Sequence, residues 1–349
     1  MATIYDVAAH AGVSIKTVSR VMNGEAAVRP ETRERVKAAA AALNYHPNRS
    51  ARSLAGSKSF LIAAFVDAKL TLEHWRNERG TAYLARIQLG ATMPCREAGY
   101  HFLVELVDHE NDQIHNEVSN LLAGLKPDGV ILTPPSADNV TVLELLRQSG
   151  TPYVRLGPER AGGGGLSLRM DDHAAARGMT EYLIKLGHRR IGFIEGEPRY
   201  ASSRARRAGF LEAMGAHGLK TPWMAAGDYT YASGVACGAT MLAGKQRPTA
   251  IFASNDDMAL GCMAAADNAG LAIPGDISIA GIDDSTGARF SRPSLTTLRQ
   301  PLVEMAECAA RALVCGSVSP TCDEDGGQDL PSFTLVPGLS TAPPAVKRK

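Results

Sequence analysis

The sequence lacks long hydrophobic runs and any recognisable export signal. Its longest apolar stretches, such as 60–66 and 129–133, have the length of a β-strand and fall short of the roughly 20 residues that a membrane helix needs. The first six residues contain neither a basic start nor an apolar stretch. We therefore expect a protein of the cytoplasm, nucleoid-associated if it binds DNA, with no membrane partner.

Signatures of metal and redox sites are also missing. The six cysteines lie far apart, with no C-x-x-C and no Cys/His cluster at zinc-finger spacing. Cys308, Cys315 and Cys322 recur every seven residues, which we interpret as small hydrophobic residues of a packed helix. We expect reduced thiols, no metal site and no cofactor.

Common catalytic motifs are absent as well. The chain contains no G-x-S-x-G, no H-E-x-x-H and no Walker A loop, and the string 238–245 has one residue too many for a Walker motif. These absences argue against an enzyme and predict no catalytic residues. An enzyme remains the alternative because an α/β fold does not determine function, and turnover of a sugar would reveal it.

What the chain has is an α/β composition and an uneven charge distribution. Its 349 residues are 45% hydrophobic and only 5% aromatic, with 34 glycines, which is typical of an α/β protein with more than one domain. Residues 1–58 contain nine Lys and Arg against four Asp and Glu, whereas the whole chain has 37 against 36. A basic N-terminal segment on a mildly acidic body indicates that the segment binds a polyanion.

The first 46 residues predict three short helices. Thr3-x-x-Asp6 matches a capping box before an amphipathic helix that Gly12 ends. Ser14 can cap a second helix running to Met22, and a third helix begins at Pro30 and runs through Leu43. The three-residue link between the first two helices is typical of a helix-turn-helix.

The outer face of the second helix carries groups that suit a DNA groove. Lys16, Thr17 and Arg20 lie on it, and an arginine can make a bidentate contact to guanine. Short polar side chains that could bind phosphates are Ser14, Thr17, Ser19 and Asn23. Ile15 suits either the core or a thymine methyl group. The alternative for the whole segment is a solvated three-helix bundle.

Residues 47–58 predict a further short helix that would need a partner to form. Asn48 is a suitable N-cap, Gly56 suits the position after the helix, and Leu54 is a single large apolar residue among small and basic ones. A helix of fewer than ten residues is marginal alone in water.

These two segments resemble the LacI/GalR family of bacterial transcription regulators. The resemblance is seen in the segments T-I-Y-D-V-A-A-H-A-G-V-S-I-K-T-V-S-R-V-M-N-G and L-N-Y-H-P-N-R-S-A-R-S-L-A-G. The resemblance implies that Ile15, Lys16 and Arg20 read bases of a near-palindromic operator, that Tyr45 and Asn48 contact the DNA backbone, and that Leu54 of each protomer of a homodimer wedges into the minor groove. Arg29 departs from the family, which often has Ser there, and offers a phosphate contact in place of a cap.

The body alternates strands and helices, which predicts doubly wound parallel sheets. We predict strands near 60–66, 100–106, 129–133, 153–156, 167–170, 190–195, 249–253 and 277–282. We predict helices near 82–98, 113–124, 139–149, 173–186, 202–217, 231–243, 257–269 and 302–315.

So many strands favour two lobes, and the resemblance continues to a type I periplasmic-binding-protein-like core. The predicted organisation is a helix-turn-helix head (1–46), a hinge helix (47–58), a two-lobed effector-binding and dimerisation core (59–344) and a tail (345–349). The first lobe is expected at about 59–160 and 286–320, and the second at about 161–285 and 321–344. The glycines at 162–165 would mark the first crossing. The tail lacks leucine heptads, so a dimer is expected.

Within this fold the resemblance implies a sugar site in the cleft between the lobes. Arg206, Asn255 and Asp283 align with the family's effector-binding residues, and a guanidinium, an amide and a carboxylate together suit vicinal hydroxyls. Tyr229 could stack on a sugar face, and Asp67 is a weaker candidate from the other lobe. The alternative is that each of these residues only caps a helix or forms an ion pair. That alternative is stronger for the neighbouring Asp284 and Arg204 than for Arg206, Asn255 and Asp283.

The segment 68–79 is expected to be a charged loop over the cleft. It contains His74, Trp75 and several cationic residues, so it is either a ligand-specific lid, which would suit an acidic sugar or oligosaccharide fragment, or a solvated loop. The function implied is a DNA-binding regulator, a repressor of carbohydrate-utilisation genes whose operator affinity a sugar controls. An exported sugar receptor would need an export signal and would not need a basic head.

Overall fold

The structure is a computed structural model that describes residues 2–22, 28–45, 58–78, 80–159, 162–244, 246–318, 323–325 and 332–345. It divides into two compact units, the head up to Phe60 and the body from Leu61. In the described ranges, no helix is long and apolar enough to cross a membrane.

The described residues of the head form three helices: α1 (Ile4–Ala11), α2 (Ile15–Met22) and α3 (Pro30–Ala42). Thr3 and Asp6 form the predicted capping box, and Gly12 ends α1 with a φ of 62°. Because each helix is too short to be stable alone, they share one core. Its fully buried members are Val7, Ala8, Ala11, Val18, Val21, Val36, Ala39 and Ala40. The predicted trihelical head is confirmed.

The body contains twelve strands and ten further α-helices among the described residues. The strands are β1 (Leu61–Asp67), β2 (His101–Val107), β3 (Gly129–Leu132), β4 (Tyr153–Leu156), β5 (Gly165–Leu168), β6 (Ile191–Glu195), β7 (Met224–Ala226), β8 (Ala250–Ala253), β9 (Ser278–Ala280), β10 (Thr297–Arg299), β11 (Asp323–Asp325) and β12 (Thr334–Val336). The helices are α4 (Ala68–Arg76), α5 (Ala82–Glu97), α6 (Ile114–Leu125), α7 (Val140–Ser149), α8 (Asp172–Lys185), α9 (Ala201–Ala216), α10 (Tyr231–Leu242), α11 (Asp256–Asn268), α12 (Thr286–Phe290) and α13 (Leu302–Cys315).

Ten of these twelve strands form two parallel sheets, one in each lobe, which confirms the predicted fold class. The first sheet has the order β11-β5-β4-β3-β1-β2 and the second has the order β7-β6-β8-β9. Strands β10 and β12 form a separate antiparallel pair. Runs such as Ile62 to Val66 in β1 are buried because helices cover both faces of a doubly wound sheet.

The chain crosses between the lobes later than the sequence predicted. Strand β5 still belongs to the first sheet, so the first crossing follows Leu168 and not residue 160. The second lies near residue 300, since α13 packs against α5 of the first lobe. The third follows β11, because Phe333 and Leu335 pack on the core of the second lobe. The predicted lobe boundaries at 161, 286 and 321 are therefore wrong by several residues.

The glycine run that suggested the first boundary serves another purpose. The buried Arg155 donates to the main-chain oxygen of Gly162 at 2.6 Å and to that of Ala137 at 2.6 Å. Gly163 has a φ of 124°, and a Cβ there would lie 2.9 Å from the Arg155 guanidinium. The glycines let the backbone close around this cation before β5 begins.

The segment after β1 is a helix and not the predicted loop. Asp67 caps α4, accepting from the main-chain nitrogen of Lys69 at 2.9 Å and from that of Leu70 at 3.5 Å. An aspartate that ends a strand can cap a helix that starts at the next residue, so no connecting turn is needed.

Candidate DNA-binding surface and effector cavity

Helix α2 presents an outward surface with mixed chemistry. Val18 and Val21 are buried, whereas Lys16 and Arg20 are exposed. Ile15 is 41% exposed, so of its two interpretations the structure favours a surface residue. The face therefore combines two cations with an apolar group at the start of the helix, as readout of a major groove requires.

The short polar residues of the head have defined neighbours. The Ser14 hydroxyl accepts from the main-chain nitrogen of Thr17 at 3.1 Å and lies 2.9 Å from the Thr17 hydroxyl, so the predicted cap of α2 is present. Ser19 is partly buried. Arg29 occupies the N-cap position of α3 without a side-chain cap bond and is exposed. Tyr45 packs against the head core.

Three predicted DNA contacts fall outside the described residues: Asn23, Asn48 and Leu54. The same holds for most of the predicted hinge helix at 47–58. These assignments stay predictions from the sequence.

A cavity of about 130 Å³ lies between the two lobes of the body. The five sequence-predicted effector residues line it, and they are Asp67, Arg206, Tyr229, Asn255 and Asp283. It lies at the carboxyl ends of the strands, where ligands of open α/β sheets bind.

Arg206, on α9, is held rigidly in the wall of this cavity. Its Nε and Nη2 both lie 2.7 Å from a carboxylate oxygen of Asp172, and its Nη1 donates to the main-chain oxygen of Ser254 at 2.6 Å. Burial by itself would lower the pKa of Arg206, but the negative charge of Asp172 outweighs this effect and raises the pKa above its ordinary value. The guanidinium is therefore fixed and always charged.

Asn255 fixes the neighbouring wall. Its side-chain oxygen caps α11 by accepting from the main-chain nitrogen of Met258 at 3.0 Å, and its amide donates to the main-chain oxygen of Tyr229 at 2.9 Å. Capping a helix, which was the alternative to binding a ligand, is therefore part of the role of Asn255. An amide has a second donor hydrogen and a second acceptor lone pair, so capacity for a ligand remains.

Tyr229 stands in a strained backbone conformation with a φ of 69°. Its ring lies edge-on to Tyr200, with 5.5 Å between the ring centroids. A Cβ on Gly196 would lie 2.1 Å from this ring, so only glycine leaves room for it. Strain of this kind concentrates at ligand sites.

Asp283 combines backbone strain with a perturbed carboxyl group. Its φ is 136°, and its carboxylate accepts a hydrogen bond from the side-chain amide of Gln300. Burial raises the pKa of Asp283 to about 6, against the lowering effect of Arg206. The neighbouring Asp256 is fully buried, and burial followed by the charge of Asp283 raises the pKa of Asp256 to about 7.

Asp67 is engaged by the opposite lobe. The Tyr200 hydroxyl donates to its carboxylate, and Arg199 forms an ion pair with it at 2.8 Å. These contacts join the two lobes, and Asp67 also caps α4. Its carboxylate therefore has less hydrogen-bonding capacity left for a ligand than the sequence suggested.

Helix α4 covers part of the cavity with His74 and Trp75, both lining residues. Burial lowers the pKa of His74, so its ring is neutral at neutral pH. The buried Nε2 of His74 has no hydrogen-bond partner among the described residues. Trp75 is 46% exposed. Lys69 of the same helix forms an ion pair with Glu110 at 2.6 Å.

The sequence reasoning missed other polar residues of the cavity: Tyr83, Thr133, Tyr200, Ser202, Asp257 and Gln300. Thr133 follows β3, and Asp257 is the second residue of α11, shortly after β8, so their positions after strand ends were a usable signal. Gln300 lies in the second crossing, where no local pattern marks it.

The ion-pair alternative describes Asp284 and Arg204. Asp284 forms ion pairs with Arg289 at 2.6 Å and Arg299 at 2.7 Å. Burial by itself would raise the pKa of Asp284, but these two arginines hold the pKa below its ordinary value. Arg204 pairs with Glu159 at 2.8 Å. In the described part of the chain, no group of three or more His, Cys, Asp and Glu side chains could hold a metal ion.

A helix-turn-helix head joined to a two-lobed core with a polar interlobe cavity defines a DNA-binding regulator with a ligand-binding core. Residues 3–48 match the family model for bacterial regulatory proteins of the lacI family, and residues 180–341 match the model for a periplasmic binding protein-like domain. The chain belongs to the LacI family of transcriptional regulators, and the resemblance stated from the sequence is confirmed.

Relatives match along most of the chain. Catabolite control protein A of Priestia megaterium is 32% identical over 89% of this chain and 91% of its own length. The HTH-type transcriptional regulator CelR of Thermobifida fusca is 34% identical over the same shares. These relatives are regulators and not enzymes.

Solved structures agree with the fold. A complex of the regulator CelR with cellobiose has a TM-score of 0.70 and 30% identity, covering 97% of this chain and 100% of that one. The lac repressor dimer bound to operator and the anti-inducer ONPF has a TM-score of 0.79 and 29% identity, covering 98% and 99%.

Proposed function

We propose that this protein is a repressor of carbohydrate-utilisation genes whose affinity for operator DNA is controlled by an uncharged sugar bound between the lobes. The observation that carries the proposal is the cavity itself. It brings a fixed guanidinium, an amide and a carboxylate from three separate segments together in a chain that begins with a DNA-binding head.

In the head, the exposed face of α2 enters the major groove. Ile15, Lys16 and Arg20 contact base edges there. Contacts to the DNA backbone come from Ser14, Thr17, Ser19, Asn23, Arg29, Tyr45 and Asn48. Leu54 enters the minor groove at the centre of the operator.

In the cavity, Arg206, Asn255 and Asp283 bind sugar hydroxyls. Arg206 donates, Asp283 accepts and Asn255 does both, which suits neighbouring hydroxyl groups that are themselves donors and acceptors. Tyr229 and Trp75 provide apolar walls for the face of the ring. Asp67 contributes chiefly by holding the lobes together.

The charge of the lining favours an uncharged sugar over an acidic one. The described lining residues include three carboxylates (Asp67, Asp257 and Asp283) and one guanidinium (Arg206). Arg199 balances Asp67 and Asp172 balances Arg206, so Asp257 and Asp283 give the lining its negative charge. The cationic Lys69 is paired with Glu110. A carboxylate or phosphate on the ligand would face repulsion that a neutral sugar avoids.

A homodimer suits this function, because two heads can then occupy the two halves of a near-palindromic operator in the cytoplasm. Relatives with this fold include the lac repressor dimer on its operator. Sugar binding can change operator affinity only if the DNA-competent and DNA-free states bind the sugar differently. Both signs of control, induction and co-repression, are compatible with that condition.

The deciding experiment is selection of bound sequences from random duplex DNA at fixed, near-physiological salt, repeated with a panel of neutral mono- and disaccharides, sugar acids and sugar phosphates. Enrichment of a palindrome that one neutral sugar abolishes or strengthens would support the proposal and reveal the sign of control. An effect of sugar acids alone would overturn the choice of ligand. Salt-sensitive binding without sequence preference would overturn the regulator itself.

A further inference from the structure

The second lobe carries a groove with unbalanced positive charge, at the opposite edge of its sheet from the effector cavity. Arg190 comes directly before β6 and Trp223 directly before β7, so the groove lies at the amino ends of these strands. It is an open surface groove with a volume of about 480 Å³. We call it the basic groove and define it by Arg189, Arg190, Lys220, Trp223 and Gln246.

Three cations line this groove and no carboxylate does. Arg189, Arg190 and Lys220 are exposed, and within the described ranges none of them forms an ion pair. Several other surface arginines of the body have carboxylate partners, as Arg147 has Glu144 and Arg311 has Glu307. Like charges gathered in one concave surface repel one another, and a bound anion relieves that repulsion.

Trp223 gives the groove an ordered wall. Its indole N–H donates to the main-chain oxygen of Gln246 at 3.2 Å, and its ring packs against the core of the second lobe. A fixed aromatic surface beside arginines suits a ligand that joins a phosphate group to an organic portion, because arginine binds phosphate oxygens in pairs and the ring contacts the rest.

We propose that the basic groove is a second ligand site that binds a phosphorylated small molecule, independently of the sugar site between the lobes. Arg189, Arg190 and Lys220 bind the phosphate oxygens, and Trp223 lies against the organic portion. The proposal does not depend on the identity of the sugar or of the operator.

The two tryptophans of the chain allow a direct test, since Trp75 lines the sugar cavity and Trp223 the basic groove. In a Trp75→Phe protein the emission reports on Trp223 alone. Pyrophosphate and ATP are titrated into it at constant ionic strength, with sodium chloride as the control for charge screening. We expect a saturable change in emission with both, and tighter binding of ATP because of its organic portion.

Substitutions in the same Trp75→Phe background locate the site. Arg190→Gln and Lys220→Gln should each weaken pyrophosphate binding on the order of fivefold or more, as loss of a charge-assisted contact predicts. The matched control is Arg96→Gln, which removes one exposed charge from the first lobe. Asp283→Asn, in the sugar cavity, should leave pyrophosphate binding unchanged.

The proposal is overturned if pyrophosphate causes no saturable change, or if Arg96→Gln weakens binding as much as Arg190→Gln does. Folding of the variants is checked separately by circular dichroism and urea unfolding. A native fold there, with no loss of pyrophosphate binding in Arg190→Gln, would also reject the groove.

Discussion

The hydroxyl of Tyr200 donates a hydrogen bond to the carboxylate of Asp67, so a second-lobe residue is tied directly to the end of the first strand of the other lobe. Arg199 reinforces the contact through an ion pair at 2.8 Å with the same carboxylate. Burial, together with the neighbouring charge of Asp67, raises the pKa of Tyr200, so the hydroxyl keeps its proton. This bond favours the arrangement in which the lobes enclose the cavity.

Removing that hydroxyl with Tyr200→Phe should weaken sugar binding. A hydrogen bond to a charged acceptor is worth about 1.5 kcal/mol, which corresponds to roughly tenfold in Kd. Isothermal titration with the sugar found by selection measures the change. The control is Tyr182→Phe, which removes a hydroxyl bonded to Thr341, away from the cavity. Equal losses in both variants would contradict the role of the Tyr200–Asp67 contact.

Arg206→Lys should reduce sugar affinity by about 2 kcal/mol, or roughly 30-fold, and leave operator binding without sugar intact. A lysine cannot reach Asp172 and the Ser254 main chain together, so the donor facing the ligand loses its position. Arg204→Lys on the same helix is the matched control, because Arg204 forms an ion pair with Glu159 at the surface. Loss of DNA binding in Arg206→Lys alone would point to a folding defect.

The buried pair Asp256 and Asp283 predicts a pH dependence of stability. Both folded-state pKa values, about 7 and about 6, lie above the ordinary carboxyl value, so the folded state retains protons that the unfolded chain has released. Their contribution to stability is therefore greatest at low pH and declines as pH rises from about 4 to about 7.

Asp256→Asn removes one of these titrations. Relative to the wild type, this variant should gain stability as pH rises from 5 to 8, because the wild type must ionise a buried carboxyl group over that range. Urea unfolding followed by tryptophan emission reports on the body, which contains both tryptophans. A difference between the two proteins that stays constant with pH would show that Asp256 ionises normally.

Arg20→Gln should weaken operator binding by about 1–3 kcal/mol and relax base preference at one position in each half-site. Lys37→Gln is the control, because Lys37 lies on the surface of α3 in an ion pair with Glu34. Repeating the sequence selection with each variant measures both affinity and preference. Uniform weakening without relaxed preference would reassign Arg20 to a phosphate contact.

Local patterns predicted most of this fold. The eight helices and eight strands expected in the body all occur within a few residues of their predicted bounds, because alternating buried strands and amphipathic helices leave a strong periodic signal. The three-residue strands β7, β10, β11 and β12 were missed, whereas the equally short β9 was predicted because it lies within the longer apolar run 277–282.

The remaining errors came from residues whose partners are distant in sequence. Glycines at 162–165 seemed to separate the lobes, but they accommodate Arg155, a buried cation that no local pattern reveals. Asp67, the weaker effector candidate, does line the cavity, but its bond to Tyr200, 133 positions later, could not be predicted from the sequence. The five effector residues do surround one cavity, while their contacts with a sugar stay a prediction.

The threading of the chain through the lobes has a consequence for biosynthesis. Helix α13 and strand β11 complete the first lobe, although more than 130 residues of the second lobe are translated before them. While the ribosome makes the second lobe, β5 has no neighbour on its outer edge and α5 has an uncovered face. The three described helices of the head lie within the first 42 residues and can fold early, whereas neither lobe is complete until translation is nearly finished. Premature termination near residue 300 would therefore release a chain with a finished DNA-binding head and a core exposed to aggregation and proteolysis.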